Sequence, residues 1–186
     1  MVEFEIGRHD WPSRASVYGN SAVFPDAVRA LRSAESRADA ELALRRLEEV
    51  LPLGEGPTEV SVAAASTLVH CLWGCSVFAA DLVLGVLADL AAGFAGGDLR
   101  DPVQAALRQD VLREICRGFV AYVEMAESAG SADIRTACID LITACGGADA
   151  GLRERAIHFL EAFLAEVSFA SHREVIEASL DEVRAA

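Results

Sequence analysis

The chain has no lysine; all sixteen of its basic residues are arginine. A GC-rich coding sequence produces that bias by itself, so it says nothing about function. Aromatic residues make up only 6% of the 186 positions, and the β-branched and aromatic alternation that marks strands is scarce. No basic run interleaved with aromatics is present. Neutralising phosphates supplies most of the affinity for DNA or RNA, so nucleic acid is excluded as the expected ligand. Also missing are a glycine loop followed by Lys and Ser or Thr, a Gly-x-Gly-x-x-Gly turn and a Gly-x-Ser-x-Gly elbow, which leaves nucleotide-binding and hydrolase readings without support. Residues 1–6 are acidic and lack the basic-then-apolar layout of a signal peptide, so a cytoplasmic protein is expected.

What is abundant is small and aliphatic. Hydrophobic residues reach 53%, mostly Ala, Leu and Val, and Ala and Leu lose little conformational freedom in a helix. The formal net charge is −13. Residues 1–60 hold eleven acids against seven Arg, and residues 101–186 hold fifteen against eight. A positively charged protein partner fits that balance, because complementary charge accelerates encounter. Five cysteines, an odd number without framework spacing, read as reduced thiols at Ala-like core positions. Residues 60–80 contain no Asp, Glu, Arg or Lys. The flanks Glu55, Glu59 and Asp81 are acidic rather than basic, and Ser61, Ser66, Thr67 and His70 dilute the run, so a buried central element is expected and not a membrane span.

The apolar spacing predicts about eight helices, over 25–32, 36–51, 59–72, 77–92, 101–128, 132–144, 151–167 and 171–183. Ser36 and Asp101-Pro102 read as helix starts, and Ser171 with Glu174 as a capping box. Residues 1–23 lack a helical stripe and read as an irregular lead-in to one domain over 24–186. The phrase at 131–138 returns at 152–157, and a similar one stands at 39–44. Recurrence of one amphipathic pattern implies stacked helix pairs, since no pair can bury its apolar stripe alone. The expected architecture is therefore all-α, a right-handed stack of antiparallel helix pairs, a HEAT-like α-solenoid. Asp133 and Arg135, near one helix start, are expected to tie that stack together.

Trp11, the phrase at 18–22, the helix ending at 30–33, the Ala-rich segment from 43, the run 82–93 and the 133–135 helix start together resemble the small HEAT-repeat proteins common in actinobacteria. The resemblance spans nearly the whole chain. Where such relatives often carry His-Gln-Gly-Thr, this sequence has Leu53-Gly54-Glu55-Gly56. It implies a helical stack that acts by binding a protein, and it brings no catalytic residues with it.

Two candidate sites follow. Glu48, Glu49, Glu55 and Glu59 cluster around the departing loop and read as a partner-binding rim for a basic protein, an immunity or inhibitor function being the sharpest version. The alternative is a cofactor-independent enzyme of cyclase or isomerase type in specialised metabolism, with a small-molecule pocket where Trp11, Tyr18, His70 and Trp73 converge. His70, Cys71 and Cys75 could hold a soft metal, but no second ligand pair stands at suitable spacing, so neither metal nor cofactor is expected. Glu154, His158 and Glu161 share one helix face and read as ordinary solvated chemistry.

Overall fold

The computed structural model describes residues 1–14, 20–51, 56–93 and 100–186. Among these the regular structure is ten α-helices and three short 3-10 turns, with no strand. The helices are α1 Val2–Gly7, α2 Phe24–Arg32, α3 Arg37–Glu48, α4 Glu59–Leu72, α5 Ala80–Ala92, α6 Pro102–Cys116, α7 Phe119–Ser128, α8 Ala132–Ala148, α9 Ala150–Ala165 and α10 Arg173–Ala185.

Side-chain caps set several of the starts. Ser36 Oγ accepts the Asp39 N–H at 3.2 Å and opens α3. Thr58 and Ser61 exchange hydrogen bonds across the first turn of α4, each hydroxyl accepting the other's backbone N–H. Asp101 accepts from Val103 N–H at 2.9 Å, and Pro102 fills the first turn of α6, where its missing N–H has no cost. Asp149 turns the chain between α8 and α9 by accepting the Gly151 N–H at 2.7 Å.

Consecutive helices pack in sequence: α2 on α3, α4 on α5, α7 on α8, α8 on α9, α9 on α10. More distant packings, α4 on α6, α5 on α8 and α8 on α10, make a second set of interfaces. The hub is α8, which meets α5, α6, α7, α9 and α10. Gly146 on α8 lets its neighbours in: a Cβ there would stand 2.7 Å from Ala156 Cβ of α9 and 2.9 Å from Val183 Cγ1 of α10. The charge-free stretch becomes α4, buried on nearly all sides through Val60, Ala63, Ala64, Leu68, Val69 and Cys71. No helix among the described residues is long and apolar enough to cross a membrane. One contiguous apolar cluster runs from Val2 to Val183.

Three sequence expectations need correction. The lead-in is not irregular throughout: Val2–Gly7 is helical, buries Val2, Glu5 and Ile6, and packs on α4. Its three apolar residues, Val2, Phe4 and Ile6, alternate with acidic and small ones, which is not the spacing of a helical stripe. Second, the single helix expected over 101–128 is two, because Tyr122 folds its hydroxyl back onto the Ile115 carbonyl at 2.9 Å and would collide with any side chain at position 118. Gly118 leaves the space, and α6 ends there. Third, Ser171 and Glu174 do not form a capping box. Residues Val167–His172 are a 3-10 turn, Ser171 Oγ pairs with His172 Nδ1, and α10 starts at Arg173.

Arg135 of α8 ties that turn down: it donates to the Ser168 carbonyl at 2.6 Å and lies over the Phe169 ring at 4.9 Å. Asp133 is exposed in the first turn of α8, which has no side-chain cap.

Candidate functional site

The four candidate pocket residues have different surroundings. Trp11 is core, 4% exposed, stacked on Phe24 at 4.5 Å with its indole N–H on the Ile6 carbonyl. His70 is half-buried and its Nδ1 is 2.8 Å from the Ser66 carbonyl one turn earlier. Trp73, at the end of α4, is 51% exposed. Tyr18 lies outside the described residues. None of the other three lines the clefts found below.

Of the acidic rim, Glu48 and Glu49 stand exposed at the end of α3 and Glu59 at the start of α4, on either side of one loop; Glu55 lies outside the described residues. Cations share that rim. Arg45 and Arg46 occupy the same last turn of α3, and Arg14 Nη1 is 3.5 Å from the Glu59 carbonyl. The local charge is mixed.

A buried carboxylate lies at the α1–α4 junction. Glu5 of α1, 3% exposed, accepts from Ser66 Oγ of α4 at 2.5 Å and from Arg8 at 3.1 Å, and His9 Nε2 is 3.2 Å from the same oxygen. Burial raises its pKa, but the bonds from Ser66 and Arg8 and the charges of Arg8 and His70 outweigh that and hold it below the ordinary carboxylate value. Burial and the neighbouring Arg14 push His9 down. Serine, carboxylate and imidazole are thus together, yet the carboxylate stands in the middle. A nucleophilic serine needs the base beside it and an approach for substrate, and Ser66 is 3% exposed. The cluster docks α1 onto α4.

Open chemistry lies at the other end of the chain. A trough of about 590 Å³ separates α5, α6, α8 and α10. Its floor is Ala88, Ala91 and Ala92 of α5 facing Ala144, Gly147 and Ala148 of α8. Both triplets follow the i, i+3, i+4 spacing of one helix face, and side chains so small cannot fill the space between helices. Around the floor stand Asp89 of α5, Asp140 of α8 and Glu182 of α10, with Arg108 of α6 as the one cation among the lining residues.

Among the described residues no ion pair engages Asp89, Asp140 or Glu182, all three exposed, and Ser179, 7% exposed, lines the same trough. Arg108 Nε is sealed from solvent and likewise unpartnered. Burial raises the pKa of Asp89, and burial followed by repulsion from Glu182 raises that of Asp140. Among the described residues no three His, Cys, Asp or Glu side chains stand close enough to hold one metal ion. The carboxylates are spread along the trough, which suits positive charge that is itself spread.

Sequence reading missed this site because its residues come from four helices, with one or two polar positions in each. The available signal was the paired Ala/Gly i, i+3, i+4 faces, each with an acid beside it. Fold and trough define an all-α protein of sequentially packed helices that carries an acidic groove. Compared with known proteins, the chain matches no family model, no curated protein and no solved structure.

Proposed function

We propose that the chain is a HEAT-like binding module whose acidic groove receives a positively charged segment of a partner protein, in the manner of an inhibitor or immunity protein that covers a basic surface. The observation that carries this reading is the set of three carboxylates, drawn from α5, α8 and α10 and without an ion pair among the described residues, around one trough. Partial burial at Asp89, and partial burial with repulsion from Glu182 at Asp140, disfavour the charged carboxylates in the free protein, and an incoming arginine or lysine offsets that. The Ser179 hydroxyl adds an acceptor for a guanidinium N–H. The Ala and Gly floor allows a backbone or a flat guanidinium to approach closely. Stacked helices commonly present such an extended surface to partners.

Fluorescence anisotropy with a labelled arginine-rich peptide tests the proposal. Replacing Asp140 with Asn and Glu182 with Gln together should weaken binding by about tenfold, equivalent to about 1.4 kcal/mol, and flatten its salt dependence. Peptide affinity that ignores both replacements and salt would remove the reading. A second reading is a small cationic metabolite, favoured by the groove's volume of about 590 Å³, within the span typical of small-molecule sites. Calorimetric titration with spermidine separates the two: tight spermidine binding without peptide binding selects the metabolite.

A further inference from the structure

His9 follows α1 and is enclosed, its side chain 11% exposed. Its two ring nitrogens meet opposite charges. Nε2 stands 3.2 Å from Glu5 Oε1, and Nδ1 accepts a hydrogen bond from Arg14 Nη2 at 3.3 Å. A guanidinium has donors only, so Nδ1 carries no proton. The ring is therefore the neutral tautomer with its hydrogen on Nε2, towards the carboxylate.

Each element around the ring contributes a known charge. Glu5 lies within α1 and Arg8 at its end, and Arg14 follows the 3-10 turn Trp11–Ser13. From α4, Ser66 donates to Glu5, and the charge of His70 acts on the same carboxylate. The carboxylates of Asp10 and Glu59 are exposed. Trp11 adds no charge; its ring meets the imidazole edge-on at 5.4 Å. Arg14 makes one further contact: Nη1 donates to the Glu59 carbonyl at 3.5 Å, at the start of α4. The unprotonated imidazole thus helps hold the guanidinium that joins the turn after α1 to α4. The backbone of that turn is held separately, by Ser21 Oγ on the Trp11 and Arg14 carbonyls.

We infer that His9 is an acid-operated latch: a proton on Nδ1 expels the Arg14 guanidinium and frees it from the Glu59 carbonyl, while α1 stays seated on α4. The proton comes from solvent, and no covalent bond changes. Two cations then face each other across the former hydrogen bond and repel, whereas Nε2–H becomes a charge-assisted donor to Glu5. Burial and the Arg14 charge hold His9 below the ordinary histidine value, so the latch is closed at neutral pH. Its contribution to stability is complete above that ordinary value and is lost as pH falls through the lowered one.

Proton NMR of the histidine Cε1–H signals between about pH 4 and pH 8, on the full chain, tests this. The His9 signal is the one missing from His9→Gln. Its midpoint should lie below that of the same histidine in urea-unfolded protein. In a Trp73→Phe background, Trp11 emission should be quenched with the same midpoint, by the imidazolium at the indole edge, and should stay blue because α1 remains docked. Arg14→Gln should raise the His9 midpoint by about half a pH unit or more, which loss of packing alone would not do. Should that variant fail to fold, the wild-type midpoint decides. A midpoint at or above the unfolded one, a midpoint indifferent to Arg14→Gln, a quench that survives in His9→Gln, or a red shift of Trp11 at the His9 midpoint would each overturn the latch.

Discussion

Glu5 and Asp140 carry the same functional group and have opposite surroundings. Glu5 is enclosed at the α1–α4 junction with Ser66, Arg8 and His9 around it, and its pKa is held down. Asp140 lines the trough, exposed, with no ion pair among the described residues and with Glu182 nearby, and its pKa is pushed up. The first is satisfied within the fold and serves as a joint. The second has its interaction still to make. In a chain of net charge −13, this difference in partnering, rather than the number of acids, separates carboxylates that hold the molecule together from those available to a ligand.

Removing the satisfied group should have the largest effect. Glu5→Ala leaves Ser66 and His9 buried without their partner and should destabilise by about 2–3 kcal/mol, read as a lower urea midpoint at an unchanged slope. An unshifted midpoint would show that α1 is not docked through this carboxylate.

Gly146→Ala should follow, at about 2 kcal/mol, because the new methyl meets Ala156 and Val183, neither of which can yield without moving a helix. It also separates α8 from α10, the helices bearing Asp140 and Glu182, so arginine-peptide affinity should fall with stability. Unimpaired binding in a destabilised Gly146→Ala protein would detach the groove from that packing.

Acidity sharpens the comparison. The stability from Glu5 is present above the ordinary carboxyl value and disappears as pH falls through its lowered one, so Glu5→Gln should flatten the acid side of the stability profile. Asp140 runs the other way: its contribution is present at low pH and is lost as pH rises through its raised value. Asp140→Asn should therefore leave stability at neutral pH equal or slightly higher, by no more than about 0.5 kcal/mol, while binding weakens. A clear loss of stability in that variant would place Asp140 among the structural carboxylates.

The smallest effect belongs to the rim. Glu48→Gln and Glu59→Gln, in a neighbourhood that also holds Arg45, Arg46 and Arg14, should change stability by less than about 0.5 kcal/mol and peptide affinity by less than about twofold. A larger loss of affinity would return the rim to the binding surface.

Much of the helical order was legible because its signals are local. Ser36 and Asp101-Pro102 mark starts that the structure places within a residue of expectation, and the helix expected over 59–72 is α4. What stayed hidden depends on pairs distant in sequence. Glu5 meets Ser66 across 61 positions, and the break after α6 comes from a tyrosine that packs where only glycine leaves room. The groove assembles Asp89, Arg108, Asp140, Ser179 and Glu182 from four helices, and no local phrase carries that arrangement.

The two tryptophans equip the chain with its own optical probes. Trp11 is enclosed against Phe24, whereas Trp73 is half in solvent at the end of α4. Their emission should separate into a blue and a red component. In a Trp73→Phe protein the single remaining indole reports whether the first helix is seated, so release of the amino-terminal segment can be timed independently of the collapse of the hub around α8.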